Sequence, residues 1–397
     1  MISHHKKSED MISLEAMPAD HFLFSSESVG EGHPDKLCDQ LSDAILDAYL
    51  SQDPDAKVSC DLTAKGNLIV AFGEIRSKAN VNIEQVIRQT IRDIGYNNKE
   101  KGLDWEKCYV ILNVDIKKEI EEEKYENNQG IVFGYATDEW DKEILLPLTH
   151  YLAMQLCLKL TELRRNKEIT WLRPDCKAQV SIEYNKDKNN IIKPLKIFNV
   201  LVSPQHEKFI SQEDIKKIVI EKVIKKVIPA ELLDEKTVYY INPSGSFNTG
   251  GPSADAGLTG RKIIVDTYGG WAPHGGSGFS GKDPSKMKRC AGYYCRYVAK
   301  SLVANGLCHR VKIQVAYVPG SEAPKSMLVD SLGTVKEGLN DHNLLEIVLK
   351  NFDFRISSMI KELNLKRPIY RKVAALCHFG SNDPDLTWEQ PKKDLKL

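Results

Sequence analysis

Apolar residues recur along the chain with the two periods that mark helices and strands. Near the N-terminus, Leu37, Leu41, Ile45 and Tyr49 repeat at four-residue intervals, which predicts a helix over 35–50. The same helical period predicts five further helices, at 81–94, 148–164, 213–228, 286–305 and 341–352. Shorter apolar or alternating runs predict strands at 57–62, 67–72, 108–114, 131–135, 178–183, 196–203, 262–267 and 311–318.

The order of these elements favours one fold class. Helices and strands intermix without a regular βαβ order, so we expect an α+β fold rather than a doubly wound sheet. A length of 397 residues suggests two or three domains. The first twenty residues are predicted to be a mobile tail. The charged run at 117–124 predicts either a solvated helix or a mobile loop.

Composition then limits the classes of protein to consider. The chain has 55 basic and 55 acidic side chains, so a basic cluster must be local and suits a small anion better than nucleic acid. Nine cysteines without paired CxxC motifs indicate reduced thiols rather than a zinc site. The N-terminus lacks the apolar core of a secretory signal, and the apolar stretch at 144–160 is interrupted by polar residues. We therefore expect a cytoplasmic protein with neither a membrane nor a nucleic-acid partner.

The segment at 268–286, YGGWAPHGGSGFSGKDPSK, is the strongest candidate for anion binding. Six glycines crowd it, and consecutive glycine N–H groups are able to cradle a phosphate. Lys282 and Lys286 add positive charge, which disfavours the alternative of a merely flexible surface loop. Residues 276–282 match the start of a P-loop, but Asp283 stands where serine or threonine should hold magnesium. A carboxylate there would repel phosphate, so a true P-loop is disfavoured.

Two shorter segments carry weaker signals. Arg261 and Lys262 stand together at the entry to the predicted strand 262–267, where they are either a solvated strand end or anion ligands. His33 and Asp35 lie at the N-terminus of the first predicted helix, which favours anions. Asp35 is either an ordinary first-turn acid or, beside a polyphosphate, a magnesium ligand.

Six motifs in order along the chain resemble the S-adenosylmethionine synthetase family. They are GEGHPDK at 30–36, FGEI at 72–75, FGYATDE at 133–139, LRPD-K at 172–177, GLTGRKIIVDTYGG at 257–270 and FSGKDPSK at 279–286. The resemblance runs from about Phe22 to Trp388. It implies three similar α+β domains, each a mixed or antiparallel sheet covered by helices, in a pseudo-threefold arrangement. The expected division is a tail at 1–20 and domains at 21–120, 121–249 and 250–397.

The resemblance also implies an activity, in which methionine sulfur displaces triphosphate from C5′ of ATP and the triphosphate is cleaved to phosphate and pyrophosphate. The implied catalytic residues are His33, Lys177, Arg261, Lys262 and Lys282. The implied ATP-binding residues are His33, Asp175, Lys177, Ser246, Phe247, Asp255, Arg261, Lys262, Gly278 and Lys282. The implied methionine-binding residues are Glu74, Asp255 and Lys286. Asp35 would bind Mg²⁺ and Asp61 would bind K⁺, and a homodimer or dimer of dimers would form its sites between subunits.

Several positions depart from the family pattern. Asp61 replaces a glutamate, Lys117 begins a segment that replaces QSPDI, and Asn128 replaces the aspartate of GAGDQG. Ser246 replaces a basic residue, and Lys288 replaces the aspartate of KVDRS, which reverses a charge near the triphosphate. Two hypotheses follow from these departures. The chain is either an active methionine adenosyltransferase, or a non-catalytic paralogue that binds ATP or polyphosphate and regulates an active subunit.

Overall fold

In the computed structural model, residues 17–118 and 129–397 are described. The helices are α1 (Pro34–Leu50), α2 (Ile83–Ile94), α3 (Leu148–Arg165), α4 (Gln212–Val219), α5 (Lys225–Val227), α6 (Gly251–Ala254), α7 (Met287–Ala304), α8 (Asp341–Asn351), α9 (Ile356–Glu362) and α10 (Arg371–Ala374). The strands are β1 (His21–Val29), β2 (Lys57–Lys65), β3 (Leu68–Arg76), β4 (Asn97–Asn98), β5 (Leu103–Asp104), β6 (Tyr109–Lys117), β7 (Gly130–Thr137), β8 (Leu172–Lys186), β9 (Ile192–His206), β10 (Val238–Ile241), β11 (Gly257–Leu258), β12 (Arg310–Tyr317) and β13 (Ser326–Asp330). A π-helical turn, Ile220–Ile224, joins α4 to α5.

Most of the predicted elements are confirmed, but the strand predicted at 262–267 is wrong. That segment is a series of turns, in which the Asp266 N–H donates to the Lys262 carbonyl over 2.9 Å. The apolar run Ile263–Val265 suits a strand, yet strand preference yields to tertiary context. Here the Asp266 side chain pairs with buried Lys36 and its carbonyl accepts from the His378 N–H. These contacts hold the chain in a turn.

Three main sheets and a small β4–β5 pair confirm the α+β class. The first sheet has the order β1–β8–β9–β10, the second β11–β2–β3–β6 and the third β13–β12–β7. Most pairings are antiparallel, but β10 runs parallel to β9 and β6 parallel to β3. The pseudo-threefold arrangement stays a prediction.

The sheets combine strands from distant parts of the chain. β1 pairs along its whole length with β8, where His21 lies opposite Asn185. β7 pairs with β12, where Thr137 lies opposite Arg310. Each of these two sheets thus contains strands from both sides of a predicted domain boundary, at 120 or at 249. The domain boundaries stay predictions. Most of the predicted tail and most of the charged run at 117–124 lie outside the described residues.

The described residues form two core clusters, a larger one that includes α1 and α7 and a second that includes α3, and α1 also positions the candidate site. Apolar residues of α1, among them Leu37 and Ile45, are fully buried in the same core cluster as Val58 and Leu62 of β2. α7 is buried over most of its length beside β7 and β12. Along 17–118 and 129–397, no helix combines the length and apolarity that a membrane crossing needs.

Among residues 17–118 and 129–397, the second sheet leaves one face largely open. On its inner face, Val58, Cys60 and Leu62 are fully buried. On the edge strand β6, by contrast, Tyr109 is 73% exposed and Ile111 is 51% exposed. Because side chains alternate along a strand, Ser59 and Asp61 of β2 lie on the same open face as these two residues. We call it the outer sheet face.

Candidate active site

The N-terminus of α1 is the centre of the candidate site. His33 is the N-cap residue, and its Nδ1 accepts the N–H of Asp35 over 3.1 Å. Pro34 occupies the first turn, where a helix has no use for the missing N–H. Capping leaves the remaining N–H groups of the first turn and the positive end of the helix dipole near His33.

The contacts of His33 determine its protonation. Burial first, and then the ammonium of Lys262, lowers the pKa of His33 to about 3, so the ring is neutral near pH 7. Because Nδ1 accepts the Asp35 N–H, the ring proton belongs on Nε2. His33 is therefore a neutral hydrogen-bond donor whose donor atom is free of the capping contact.

Arg261 and Lys262 both reach Asp35, although neighbouring residues in the strand predicted there would point to opposite faces. The Lys262 ammonium donates to Asp35 Oδ2 over 2.6 Å, and Arg261 Nε lies 3.7 Å from Oδ1. The N–H of Leu258 also donates to Oδ1, over 3.0 Å. The absence of a strand at 262–267 explains this convergence, because the turn brings neighbouring side chains to one carboxylate.

A second loop, 278–284, brings Lys282 beside this cluster. The Lys282 ammonium donates to the carbonyl of Gly278 over 2.8 Å. Gly278 packs directly on Gly260, since a Cβ at Gly278 would lie 2.5 Å from the Gly260 Cα. Burial lowers the pKa of Lys282 and raises the pKa of Asp61, its neighbour on β2. Each charge partly offsets the cost of burying the other, but burial is the larger effect on both groups.

Asp283 belongs to the framework of this loop. Its Oδ2 accepts the N–H of Val58 over 2.8 Å, and its Oδ1 accepts the N–H of Ser285 over 2.8 Å. The side chain is 1% exposed. The carboxylate thus ties the loop to β2, in keeping with the failure of the P-loop pattern at this residue.

Asp175, Lys177 and Asp255 lie near the same cluster. The charges of Lys177 and Asp255 both act on His33. Burial raises the pKa of Asp175 to about 7, and its Oδ2 accepts the N–H of Gly251 over 2.9 Å. Asp255 is exposed, and the N–H of Ala256 lowers its pKa.

Two of the implied ATP-binding residues, Ser246 and Phe247, lie on the loop after β10. The N–H of Phe247 donates to His206 Nε2 over 3.1 Å, and its ring is half-buried. Ser246 is exposed and accepts from Gln212 Nε2 over 3.4 Å. This loop joins the cluster through Gly251, whose N–H donates to Asp175.

The proposed methionine contacts are more dispersed. Glu74 lies on the outer sheet face with its side chain 53% exposed, opposite Ser59 on β2 and Asp115 on β6. Lys286 is the N-cap residue of α7. Ser59, which lies opposite Glu74, forms an isolated β-bridge with Lys282. The backbone of β2 therefore connects Glu74 to the cationic cluster.

The chain matches three family models in succession. They are the S-adenosylmethionine synthetase N-terminal domain at residues 21–119, the central domain at 123–247 and the C-terminal domain at 249–390. Together they cover nearly the whole chain. The chain belongs to the S-adenosylmethionine synthetase family. The resemblance of the six sequence motifs is thereby confirmed, and the family is one of ATP- and methionine-using transferases.

Of the five departures from the synthetase pattern, Asp61 lies on β2 and Ser246 on the loop after β10, and Lys288 and Lys117 also lie among the described residues. Lys288, in the first turn of α7, lines a small pocket with Thr267, His274 and Phe279. Burial is the main cause that lowers the pKa of Lys282, and the charge of Lys288 lowers it further. Lys117 ends β6, with its side chain 57% exposed. Asn128 lies outside the described residues.

The metals of the synthetase family can be tested against the residues present. Within 17–118 and 129–397, no three His, Cys, Asp or Glu side chains cluster as a ready set of ligands. Mg²⁺ at phosphate sites needs only one or two carboxylates, because phosphate oxygens and waters complete its shell. Asp35 fits this requirement with a buried carboxylate that accepts the Lys262 ammonium and the N–H of Leu258.

Sequence reasoning missed two buried acids behind this site. Asp39 and Asp43 follow Asp35 at four-residue intervals and are fully buried. Asp39 accepts the N–H of Gly260, and Asp43 accepts the N–H of Gly281. The repeated spacing in the sequence was a usable signal, because four residues separate neighbours on one helix face.

Proposed function

We propose that this chain is a methionine adenosyltransferase, which forms S-adenosylmethionine from ATP and methionine and releases phosphate and pyrophosphate. The observation that carries the proposal is the neutral, Nε2-protonated His33 beside Lys262 and Arg261 at the N-terminus of α1. Triphosphate is a highly charged leaving group, and fixed donors and cations are what its departure requires.

In the proposed reaction a sulfur lone pair forms the bond to C5′ as the bond from C5′ to the triphosphate oxygen breaks. The electron pair of the broken bond stays on that oxygen, and sulfur becomes a sulfonium. Sulfur needs no general base, so His33 has only to donate Nε2–H to the departing oxygen. Lys177, Arg261, Lys262 and Lys282 would hold the phosphates, and Phe247 would stack on adenine. Asp175, Ser246, Asp255 and Gly278 would complete the ATP site.

The same proposal assigns the remaining residues. Glu74, Asp255 and Lys286 would contact methionine, Asp35 would bind Mg²⁺ through phosphate oxygens, and Asp61 would bind K⁺. When bound, the cations would neutralise charge on the triphosphate. The exposed apolar residues of the outer sheet face, Tyr109 and Ile111, support a homodimer or dimer of dimers that would cover this face and enclose Glu74.

The product assay tests the proposal directly. Purified chain is incubated with ATP, methionine, Mg²⁺ and K⁺, and S-adenosylmethionine is measured by mass. We expect product in proportion to enzyme. Absence of product at high enzyme concentration would overturn adenosyl transfer.

A second candidate function is a non-catalytic paralogue that binds ATP or polyphosphate and regulates an active synthetase subunit. It is favoured by Lys288, whose charge stands where the family pattern has a metal-binding aspartate. Calorimetry with inorganic tripolyphosphate separates the two candidates, because binding without any product supports the paralogue. The pair of changes Asn128→Asp and Lys288→Asp sharpens the test. A paralogue is expected to gain activity from them, whereas an adapted enzyme is expected to keep or lose activity.

A further inference from the structure

One face of α1 carries four aspartates at four-residue intervals, Asp35, Asp39, Asp43 and Asp47. We call this set the acidic row. Residues four apart are neighbours on a helix surface, so the row runs along the helix axis. The first three side chains are at most 1% exposed. Buried carboxylates need partners, and each member of the row has backbone N–H groups directed at it.

Different members of the acidic row hold different segments of the chain. Asp39 Oδ1 accepts the N–H of Gly260 over 2.8 Å, and Asp43 Oδ1 accepts the N–H of Gly281 over 2.9 Å. These two glycines belong to the two loops that supply the cations of the candidate site. Asp47 instead accepts from the start of α10, with the N–H of Tyr370 at 3.0 Å.

The two anchored loops share a short pattern. In Thr259–Gly260–Arg261 and in Ser280–Gly281–Lys282, a hydroxyl residue precedes the anchored glycine and a cation follows it. Both glycines have left-handed backbone angles, with φ of 77° at Gly260 and 81° at Gly281. The residue whose N–H is held therefore immediately precedes the cation, so the anchor determines where that cation's backbone lies.

Buried cations balance the two anchoring carboxylates. Lys36 Nζ lies 3.0 Å from Asp39 Oδ2 and also pairs with Asp266. Arg289 donates two hydrogen bonds of 2.7 Å to Asp43. Because the charges are compensated inside the fold, the row can accept loop N–H groups without leaving a bare buried charge.

We propose that Asp39 and Asp43 are positioning residues, which set the cation loops 257–262 and 278–284 at a fixed spacing for the triphosphate. The inference rests on the proposed polyphosphate-binding function. A helix is stiff, and two residues four apart on it are separated along its axis by about 6 Å, which is the scale of a short polyphosphate chain. Arg261, Lys262 and Lys282 carry like charges, so anchoring the backbone beside Arg261 and Lys282 favours their convergence on one polyphosphate.

Hydrogen exchange tests the anchoring without any ligand. Asp39→Ala removes the acceptor of the Gly260 N–H, and Asp47→Ala is the matched control on the same helix face. We expect Asp39→Ala to speed exchange at Gly260 by about tenfold or more, in line with a lost hydrogen bond to a charged group. Asp47→Ala should speed exchange at Tyr370 and Arg371 and leave Gly260 unchanged.

Calorimetric binding of inorganic tripolyphosphate tests the consequence. We expect Asp39→Ala to weaken binding by about tenfold and Asp47→Ala to leave it within about twofold. Asp39→Asn, which keeps an acceptor oxygen for Gly260, should restore most of the affinity. If Asp39→Ala does not fold, Ser42→Ala replaces it, because Ser42 Oγ contacts Thr259 Oγ1 over 2.7 Å in the same loop.

The outcomes separate this inference from the proposed function. Equal effects of the Asp39 and Asp47 variants on loop exchange, or unchanged tripolyphosphate affinity in Asp39→Ala, would overturn the positioning role. A wild-type chain that does not bind tripolyphosphate would overturn it as well. A chain that makes no S-adenosylmethionine, but whose exchange and binding respond as expected, would refute adenosyl transfer and leave the positioning role supported.

Discussion

The N-terminus of α1 and the outer sheet face differ in how completely one chain surrounds their polar groups. At α1, Asp35 and Lys262 pair over 2.6 Å, and Asp35 is 1% exposed. On the outer sheet face, Glu74 is about half exposed and its nearest cation, on Arg76, lies 3.9 Å away. One region is a dense network of buried partners, whereas the other is an open strand surface.

The comparison shows which half of the candidate site a single chain can build. The cationic half is assembled from segments more than 200 residues apart and is held by backbone N–H groups as well as by charges. The half assigned to methionine lies on an open surface with exposed apolar neighbours. A surface of this kind is completed by a partner molecule more readily than by its own chain.

The largest expected effect tests the cationic half. Lys262→Ala removes a cation that pairs with Asp35 and is expected to lower kcat/KM by about 10²–10³-fold, the loss typical of one fixed donor to a developing anion. Steady-state kinetics with varied ATP measures it. Lys217→Ala, at an exposed position on α4, is the control and should change kcat/KM by less than about twofold. Similar losses in both variants would contradict the assignment of Lys262.

A smaller effect tests the open half. If the outer sheet face is a subunit interface, Ile111→Asp places a charge in it and should raise the dimer dissociation constant by about thirtyfold, the value of an interface hot spot near 2 kcal/mol. Analytical ultracentrifugation measures the dissociation constant. Leu349→Asp on α8 is the control, since Leu349 is 62% exposed. Dissociation by the Leu349 change alone would refute this interface.

A third comparison sets a buried acid against an exposed acid near His33. Burial raises the pKa of Asp175 to about 7, so the folded state binds a proton that the unfolded state releases from about pH 4 upward. Wild-type stability therefore falls as pH rises through about 4 to 7, and Asp175→Asn removes this part of the decline. As the pH rises from 5 to 8, we expect the free energy of unfolding of Asp175→Asn to increase by on the order of 2 kcal/mol relative to that of the wild type.

Urea unfolding at several pH values measures this change. Asp255→Asn is the control, because Asp255 is exposed and its pKa is lowered rather than raised. For a lowered pKa the sign reverses, and stability is lost only as pH falls below about 4, so Asp255→Asn should show almost no pH-dependent change relative to wild type between pH 5 and pH 8. An equal and parallel change in both variants would contradict the burial of Asp175 as the cause.

Local patterns predicted the helices well because each helix buries one apolar face. Leu37, Leu41, Ile45 and Tyr49 placed α1 within one residue of its observed start. Their spacing did not reveal that the polar face of α1 is buried too, with Lys36 fully enclosed. That burial depends on Asp266, 230 residues away, which no local period reports.

The same limit explains why the strand predicted at 262–267 does not form. Ile263, Ile264 and Val265 have the side chains of a strand, but the contacts that bend the segment come from α1 and from residues near His378. In the glycine loop, sequence reasoning expected N–H groups free for phosphate. The N–H of Gly281 is instead donated to Asp43.

The sequence by itself determined the family, the α+β class and the identity of the basic residues, because these depend on long motifs and on periodic burial. Only the tertiary structure decided which groups meet. It neutralised His33 by burial, turned Arg261 and Lys262 toward one carboxylate, and set the Gly260 and Gly281 loops one helical turn apart on the acidic row. The physical reason is that desolvation and hydrogen bonding act between atoms that are close in space, whatever their separation along the chain.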